Sequence, residues 1–166
     1  LTLDRELLRE LLGEGELRTL LSDEVLGEVE EELQGLVPPF MARDVDRLHD
    51  LLRRLGALDD AAIAARVEGD AAALVHALDK TRRLVRMRIA GREQVVAIED
   101  VALYRDGLGA AVPGGVPAVF LTRYDGALEA LIMRYARSHG PFVVGEVAAY
   151  LGLPEDALRG TIEALG

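Results

Sequence analysis

The chain has 166 residues, half of them hydrophobic but only 4% aromatic, and a net charge of −10, so it can bury one or two small cores and repels phosphate at long range. It has no cysteine, which excludes a disulfide framework and thiolate chemistry and fits a reducing compartment. Neither a signal peptide nor a membrane-spanning run is present, and a cytoplasmic setting is the expectation. Leu, Ala, Glu and Arg dominate while Val and Ile concentrate in one stretch, so the expected class is mainly α with short β-hairpins.

Residues 1–41 read as a helical preface. Leu3, Leu7, Leu8, Leu11 and Leu12 form one amphipathic stripe that stops at Gly13, and Leu17, Leu20 and Leu21 suggest another turn or two. Ser22 then caps a further helix whose acidic first turn, Asp23 and Glu24, suits the helix dipole, with Val25, Leu26, Val29, Leu33 and Leu36 as its buried side. Asp23-Glu24-Val25-Leu26 superficially matches the acidic box of a helicase motor. The chain has no G-x-x-x-x-G-K-[ST] phosphate loop, and such a box belongs at the end of a buried strand, so the helix-terminus reading stands. Pro38-Pro39 marks a boundary.

Beyond it, Val45, Leu48, Leu51, Leu52 and Leu55 define a helix ending at Gly56. Asp59 caps a short second helix with apolar positions Ile63, Ala64 and Val67, closed by Gly69. Asp70 opens a third through Leu74, Val75 and Leu78. Then the period changes to two. Val85, Met87 and Ile89 alternate with Arg86 and Arg88, and Gly91 supplies the positive φ of a tight turn. A Gly91-Arg92 turn pairs Ile89 with Gln94, Met87 with Val96 and Val85 with Ile98, keeping both apolar rows on one face. It is preferred to an Ala90-Gly91 turn, which sets Met87 opposite Gln94. Three helices followed by a basic hairpin is the order of a winged helix, a helix-turn-helix with an appended β wing.

The pattern repeats. Ile63-Ala64-Ala65, Val67, Ala73-Leu74 and Leu78 return as Val147-Ala148-Ala149, Leu151, Ala157-Leu158 and Ile162, at a constant offset of 84 positions. The first helices match at an offset of 80, leaving four extra residues near Gly140-Pro141-Phe142-Val143, where a short additional strand is expected. Between the repeats, Glu99 and Asp100 start a short helix through Val101, Leu103 and Tyr104. Leu108 to Val119, rich in Gly and Pro, reads as an ordered irregular connector. The resulting expectation is tandem winged-helix units preceded by a helical segment. The first unit covers 42–108, the connector 109–124, and the second unit 125–166, truncated before its hairpin. A start at Leu1 rather than Met suggests an excised fragment.

Several runs carry a family likeness: Val85 to Glu93, Ala97 to Val101, Tyr104 to Gly109, Pro113 to Pro117 and, most specifically, Arg134-Tyr135-Ala136-Arg137-Ser138-His139-Gly140-Pro141-Phe142. Together they resemble the C-terminal half of the large helicase-related (Lhr) superfamily 2 helicases of actinobacteria. The resemblance implies a parent that is an ATP-dependent, 3′-to-5′ translocating DNA helicase acting in DNA repair, with a C-terminal region of tandem winged helices and a β-barrel. ATP and Mg²⁺ would belong to that parent's motor, with no cofactor, metal or catalytic residue in this stretch. One departure is Val143-Val144, where the family pattern has Thr to cap the next helix.

Candidate contact residues are Lys80, Arg82, Arg83, Arg86, Arg88 and Arg92, six cations within thirteen residues of an acidic protein, with His76 nearby. Such a stripe is the electrostatic footprint of phosphate contact. The competing reading pairs the same arginines with neighbouring carboxylates. The second unit's last helix exposes Glu155, Asp156, Arg159 and Glu163 and suits packing rather than a DNA groove. His49, His76 and His139 are too scattered for a metal site, and Tyr104, Tyr124, Tyr135 and Tyr150 read as core edges rather than stacking platforms. Two functions therefore stand. One is a DNA-binding accessory region of a helicase that contacts the backbone and adjacent domains of its own chain. The other is a structural or homo-oligomerising winged-helix module; a winged-helix transcription regulator is a third, weaker reading.

Overall fold

In the computed structural model, which describes residues 23–165, each of three successive helices after residue 42 is opened by an aspartate. Asp44 accepts from the Arg47 N–H (2.8 Å) ahead of α2 (Val45–Leu55), Asp59 from Ala62 (2.8 Å) ahead of α3 (Asp60–Ala64), and Asp70 from Ala73 (3.1 Å) ahead of α4 (Ala71–Lys80). Each carboxylate satisfies an amide that the first helical turn leaves without a partner. The hairpin follows as β1 (Leu84–Ile89) and β2 (Arg92–Ala97), then a 3₁₀ turn (Ile98–Asp100) and α5 (Val101–Leu108). An irregular segment holding a second 3₁₀ turn (Ala118–Phe120) leads to α6 (Ala127–Ser138), α7 (Val144–Leu151) and α8 (Glu155–Leu165). The class is mainly helical with one β-hairpin, in winged-helix order.

Before these lies α1 (Asp23–Leu33). The leucine stripes of 1–21 and the Ser22 cap fall outside the described residues. The apolar side expected for α1 is not buried as a whole: Val25 and Val29 are 43% and 41% exposed, and Leu26, Leu33 and Leu36 are half-buried. The helix is anchored instead through the turn that ends it, where buried Gln34 donates from Nε2 to the Ser138 carbonyl (2.6 Å). The short helix α3 is also shorter than its apolar pattern implies. It stops at Ala64 because the following backbone pairs with residue 42: the Ala42 N–H reaches the Arg66 carbonyl and the Glu68 N–H reaches the Ala42 carbonyl, both at 2.9 Å. Val67 is buried there in a bridge rather than on a helix, and Ala64 is exposed.

The hairpin register differs from the expected one. Ile89 pairs with Arg92, Met87 with Gln94 and Val85 with Val96, so the turn is Ala90-Gly91, with φ of 54° and 75°. Positive φ at both central positions is the type I′ geometry whose twist suits two-residue hairpins. Keeping all apolar residues on one face is no constraint here, because both faces are covered. Leu84, Val95 and Ala97 belong to a core with α2, α3 and α4, while Met87, Ile89, Val96 and Ile98 belong to a second core with α5, α6, α7 and α8. Gln94 is tolerated between them because its Nε2 donates to the Ile89 carbonyl (3.0 Å). The hairpin tip touches the α7–α8 turn so closely that a Cβ on Gly152 would lie 2.6 Å from the Ala90 Cα.

The extra strand expected near 140–143 does not form among the described residues. Phe142 packs edge-on against Tyr135, ring centroids 5.1 Å apart. The pairing occurs at the corresponding place in the first repeat, where Leu58 exchanges two backbone bonds with Val95 (2.7 and 3.1 Å). The departure at Val143 is felt as expected: it occupies the N-cap position of α7 and makes no side-chain cap.

Candidate nucleic-acid interface

The basic stretch runs from the end of α4 through β1 and the start of β2, and its cations divide into two groups. Arg83 Nη1 donates to Asp46 (2.8 Å), a side chain carried on α2. Arg86 makes a forked contact with Asp60 of α3 (3.1 and 3.2 Å), with Glu93 3.8 Å away, and the hydrogen bond to Asp60 raises its pKa further above the ordinary arginine value. Arg92 donates to Asp59 (3.3 Å). These pairs tie the wing to the helix-turn-helix, and each exposed pair adds about 0–1 kcal/mol.

Lys80, Arg82 and Arg88 are exposed and have no ion-pair partner among the described residues, although Arg88 stands opposite Glu93 in the hairpin register. His76 is exposed on α4 one turn before Lys80. Arg82 has a positive φ (57°), held by its N–H to the Asp79 carbonyl (3.0 Å) as the chain leaves α4 for the strand. The structure thus brings both competing readings onto one stretch. Phosphate contact suits Lys80, Arg82 and Arg88; internal pairing is what Arg83, Arg86 and Arg92 do. On α8, Glu155, Asp156, Arg159 and Glu163 are all exposed, and Arg159 spends its charge on Glu155 (3.1 Å).

Sequence reasoning missed the polar cluster between the two cores. Asp100, read as a helix-starting acid, is a buried carboxylate, 3% exposed, that joins α2 to α6. It accepts from Arg53 Nη1 (2.5 Å) and from Arg134 Nη1 and Nη2 (3.0 and 3.3 Å). Burial acts to lower the Arg134 pKa, but its bonds to Asp100 outweigh that and raise it. Beside it, His49 Nε2 lies 2.8 Å from Glu99. Tyr104 is buried and its hydroxyl accepts the Ala57 N–H (2.7 Å); burial pushes its pKa up. A usable signal was present, since an aspartate between Val95-Val96-Ala97-Ile98 and Val101-Ala102-Leu103 has to meet a cation if the run is buried.

The tyrosines are divided. Tyr104 and Tyr135 lie in the core, Tyr150 is half-buried and donates to the Leu55 carbonyl (3.3 Å), and Tyr124 is 42% exposed. His139 closes α6, its ring stacked 3.7 Å from that of Tyr135. Among the described residues no group of His, Asp and Glu is placed to hold a metal ion, and no helix is long and apolar enough to cross a membrane.

Residues 19–123 match the family model for the large helicase-related protein winged-helix domain. The chain is similar to the Lhr helicase/probable uracil glycosylase of Mycolicibacterium smegmatis, 44% identical over 154 residues, which is 92% of this chain and 10% of that protein. It is also similar to the Lhr helicase/uracil glycosylase of Escherichia coli, 36% identical over 151 residues, or 89% of this chain and 10% of the relative. The chain therefore spans about a tenth of the length of these relatives. With helix-turn-helix, wing and a family model covering most of the chain in agreement, this protein belongs to the large helicase-related (Lhr) family and carries its winged-helix domain.

Proposed function

We propose that this chain is a non-catalytic part of the C-terminal region of an ATP-dependent Lhr DNA helicase acting in DNA repair in the cytoplasm. In this reading two winged-helix units in series contribute DNA-backbone contact and domain packing, while ATP, Mg²⁺ and any glycosylase chemistry belong to other parts of the parent. The observation that carries the DNA contact is the unpaired cationic edge: Lys80, Arg82 and Arg88, beside His76, are the exposed charges of the basic stretch left without an acid among the described residues. The contact is to phosphate: the chain contains no Asn and Gln94 is buried and committed to Ile89, so this stretch offers no amide to read adenine, and guanine reading by its cations is distinguished from backbone contact by comparing sequences.

The test is fluorescence anisotropy with short duplexes of several sequences over a salt series. Replacing Lys80, Arg82 and Arg88 together by Ala should weaken binding alike for every sequence and flatten the salt slope by about 0.9 per lost phosphate contact. Replacing Arg86 and Arg92 instead should lower thermal stability with a smaller effect on the slope. Unchanged affinity and slope in the triple variant would favour the second reading, a packing or homo-oligomerising module. That reading draws its support from a hairpin covered on both faces.

A further inference from the structure

A pocket of about 170 Å³ opens at the seam between the two cores, and its lining includes none of Lys80, Arg82 and Arg88. Its walls come from the end of α1, from α2 and α3, from β2, and from α6 and α7; the polar side chains that matter are Gln34, Asp59, Arg66, Arg92, His139 and Tyr150. We propose that this pocket is a binding site for a phosphate group.

The charge balance is the first argument. Arg66 is half-buried and makes three hydrogen bonds, Nε to the Gln34 carbonyl (2.9 Å), Nη1 to the Ala62 carbonyl (2.9 Å) and Nη2 to Gln34 Oε1 (2.8 Å). All three acceptors are neutral, and Arg66 has no carboxylate in ion-pair range among the described residues. The carboxylate lining the pocket is Asp59, and it is divided between the Arg92 guanidinium (3.3 Å) and the Ala62 N–H (2.8 Å). Two guanidinium groups thus face one carboxylate in a half-enclosed space, a surplus of positive charge that an anion would neutralise. Consistently, burial lowers the Arg66 pKa, and the attractions of Tyr150 and Asp59 do not offset it.

Shape is the second argument. Apolar walls from Leu55 and Leu58 limit water, and the volume has room for a tetrahedral oxyanion with a few waters. Arg66 spends its Nε–H and one N–H of each terminal nitrogen on Gln34 and Ala62, which leaves one N–H on Nη1 and one on Nη2, a planar pair that suits the several acceptor oxygens of phosphate better than a halide. Gln34, held by its bond to the Ser138 carbonyl, keeps Arg66 in place. His139 is held at the pocket wall by stacking on Tyr135, with Nδ1 2.9 Å from the Tyr135 carbonyl and 3.2 Å from Ser138 Oγ. A second cavity shares Gln34, Arg66 and His139 and is lined also by Glu30 and Glu31, whose carboxylates disfavour an anion there.

The proposal stands apart from DNA contact at Lys80, Arg82 and Arg88. Its test is an NMR titration of the whole 166-residue chain with inorganic phosphate at constant ionic strength, matched against chloride. The expected result is saturable shifts at the Arg66 and Arg92 side-chain N–H groups and at the Gln34 and Gln94 amides. Arg92→Gln should weaken binding about tenfold, the loss of one charge-assisted hydrogen bond. Arg66→Lys keeps the charge but loses the fork and should also weaken it, with backbone dispersion reporting that the fold survives. The Lys80, Arg82 and Arg88 triple variant should bind phosphate as the parent chain does, which separates failure here from failure of the DNA reading. A 5′-phosphorylated dinucleotide run beside its unphosphorylated form identifies the source. Tighter binding than inorganic phosphate points to a nucleic-acid end, equal binding to free phosphate. Shifts that are absent, reproduced by chloride, or indifferent to Arg92→Gln overturn the proposal.

Discussion

Replacing Asp100 by Asn removes one charge and little volume from the cluster that joins α2 to α6. The Asp100 carboxylate is 3% exposed and holds Arg134, itself only 16% exposed, through two hydrogen bonds, and Arg53, 43% exposed, through one. Removing one partner of a buried pair costs about 3–5 kcal/mol, because the remaining charge is stranded. Arg134 retains some access to water, so about 2–4 kcal/mol is the expectation for Asp100→Asn. Arg53→Ala leaves the carboxylate with Arg134 and removes a guanidinium that water already screens, so about 1 kcal/mol is expected. Urea unfolding of both variants measures the difference. A double-mutant cycle with Arg134→Gln separates the pair's coupling from the loss of each side chain. The thermal midpoint of Asp100→Asn should fall by about 10 °C at this chain length. A loss below about 0.5 kcal/mol, or a larger loss for Arg53→Ala, would refute the view that Asp100 neutralises a buried cation between the two cores.

Three further outcomes are expected. Gly152→Ala places a Cβ 2.6 Å from the Ala90 backbone at a φ of +71°, so it should cost at least about 2 kcal/mol and change amide shifts at both the hairpin tip and the α7–α8 turn; shifts confined to the α7–α8 turn would mean that the tip is not docked. Val143→Thr supplies the missing N-cap of α7 with Glu146 three residues on, and should stabilise by about 1 kcal/mol in thermal unfolding. Asp106 accepts from Arg105 and from the Tyr124 N–H, which lower its pKa from an ordinary 3.8 to about 2. A lowered folded-state pKa means that its contribution is complete above the unfolded value and is lost as pH falls from about 4 through about 2. A carboxyl NMR titration should find that inflection, and Arg105→Ala should move it upward.

Much of this molecule is written locally. Asp44, Asp59 and Asp70 cap helices from their own side chains, and in the 84-position repeat Ile63 and Val147, and Leu78 and Ile162, fall on helices at corresponding positions, although Val67 has left the helix that Leu151 keeps. The run Arg134 to Phe142 carried enough family information to identify the chain from its residues. These features depend on neighbours three or four residues away, or on residue identity alone, so no knowledge of the tertiary fold is needed to read them.

What only the tertiary structure decided is where one element meets another. The hairpin register followed from two-sided burial, which an alternation of apolar and charged residues cannot reveal when the second covering layer arrives from residues 101–165. The early end of α3 followed from a backbone bridge to residue 42, and the exposure of Val25 and Val29 from where α1 is anchored. Charge behaved in the same way. A sequence shows that Arg83, Arg86, Arg88 and Arg92 are basic, but partner choice depends on distances of a few ångströms between residues separated by 26 to 37 positions. Coulomb energy falls with distance in space, not along the chain, so which cations are spent on Asp46, Asp59 and Asp60 and which remain for a phosphate is settled by folding alone.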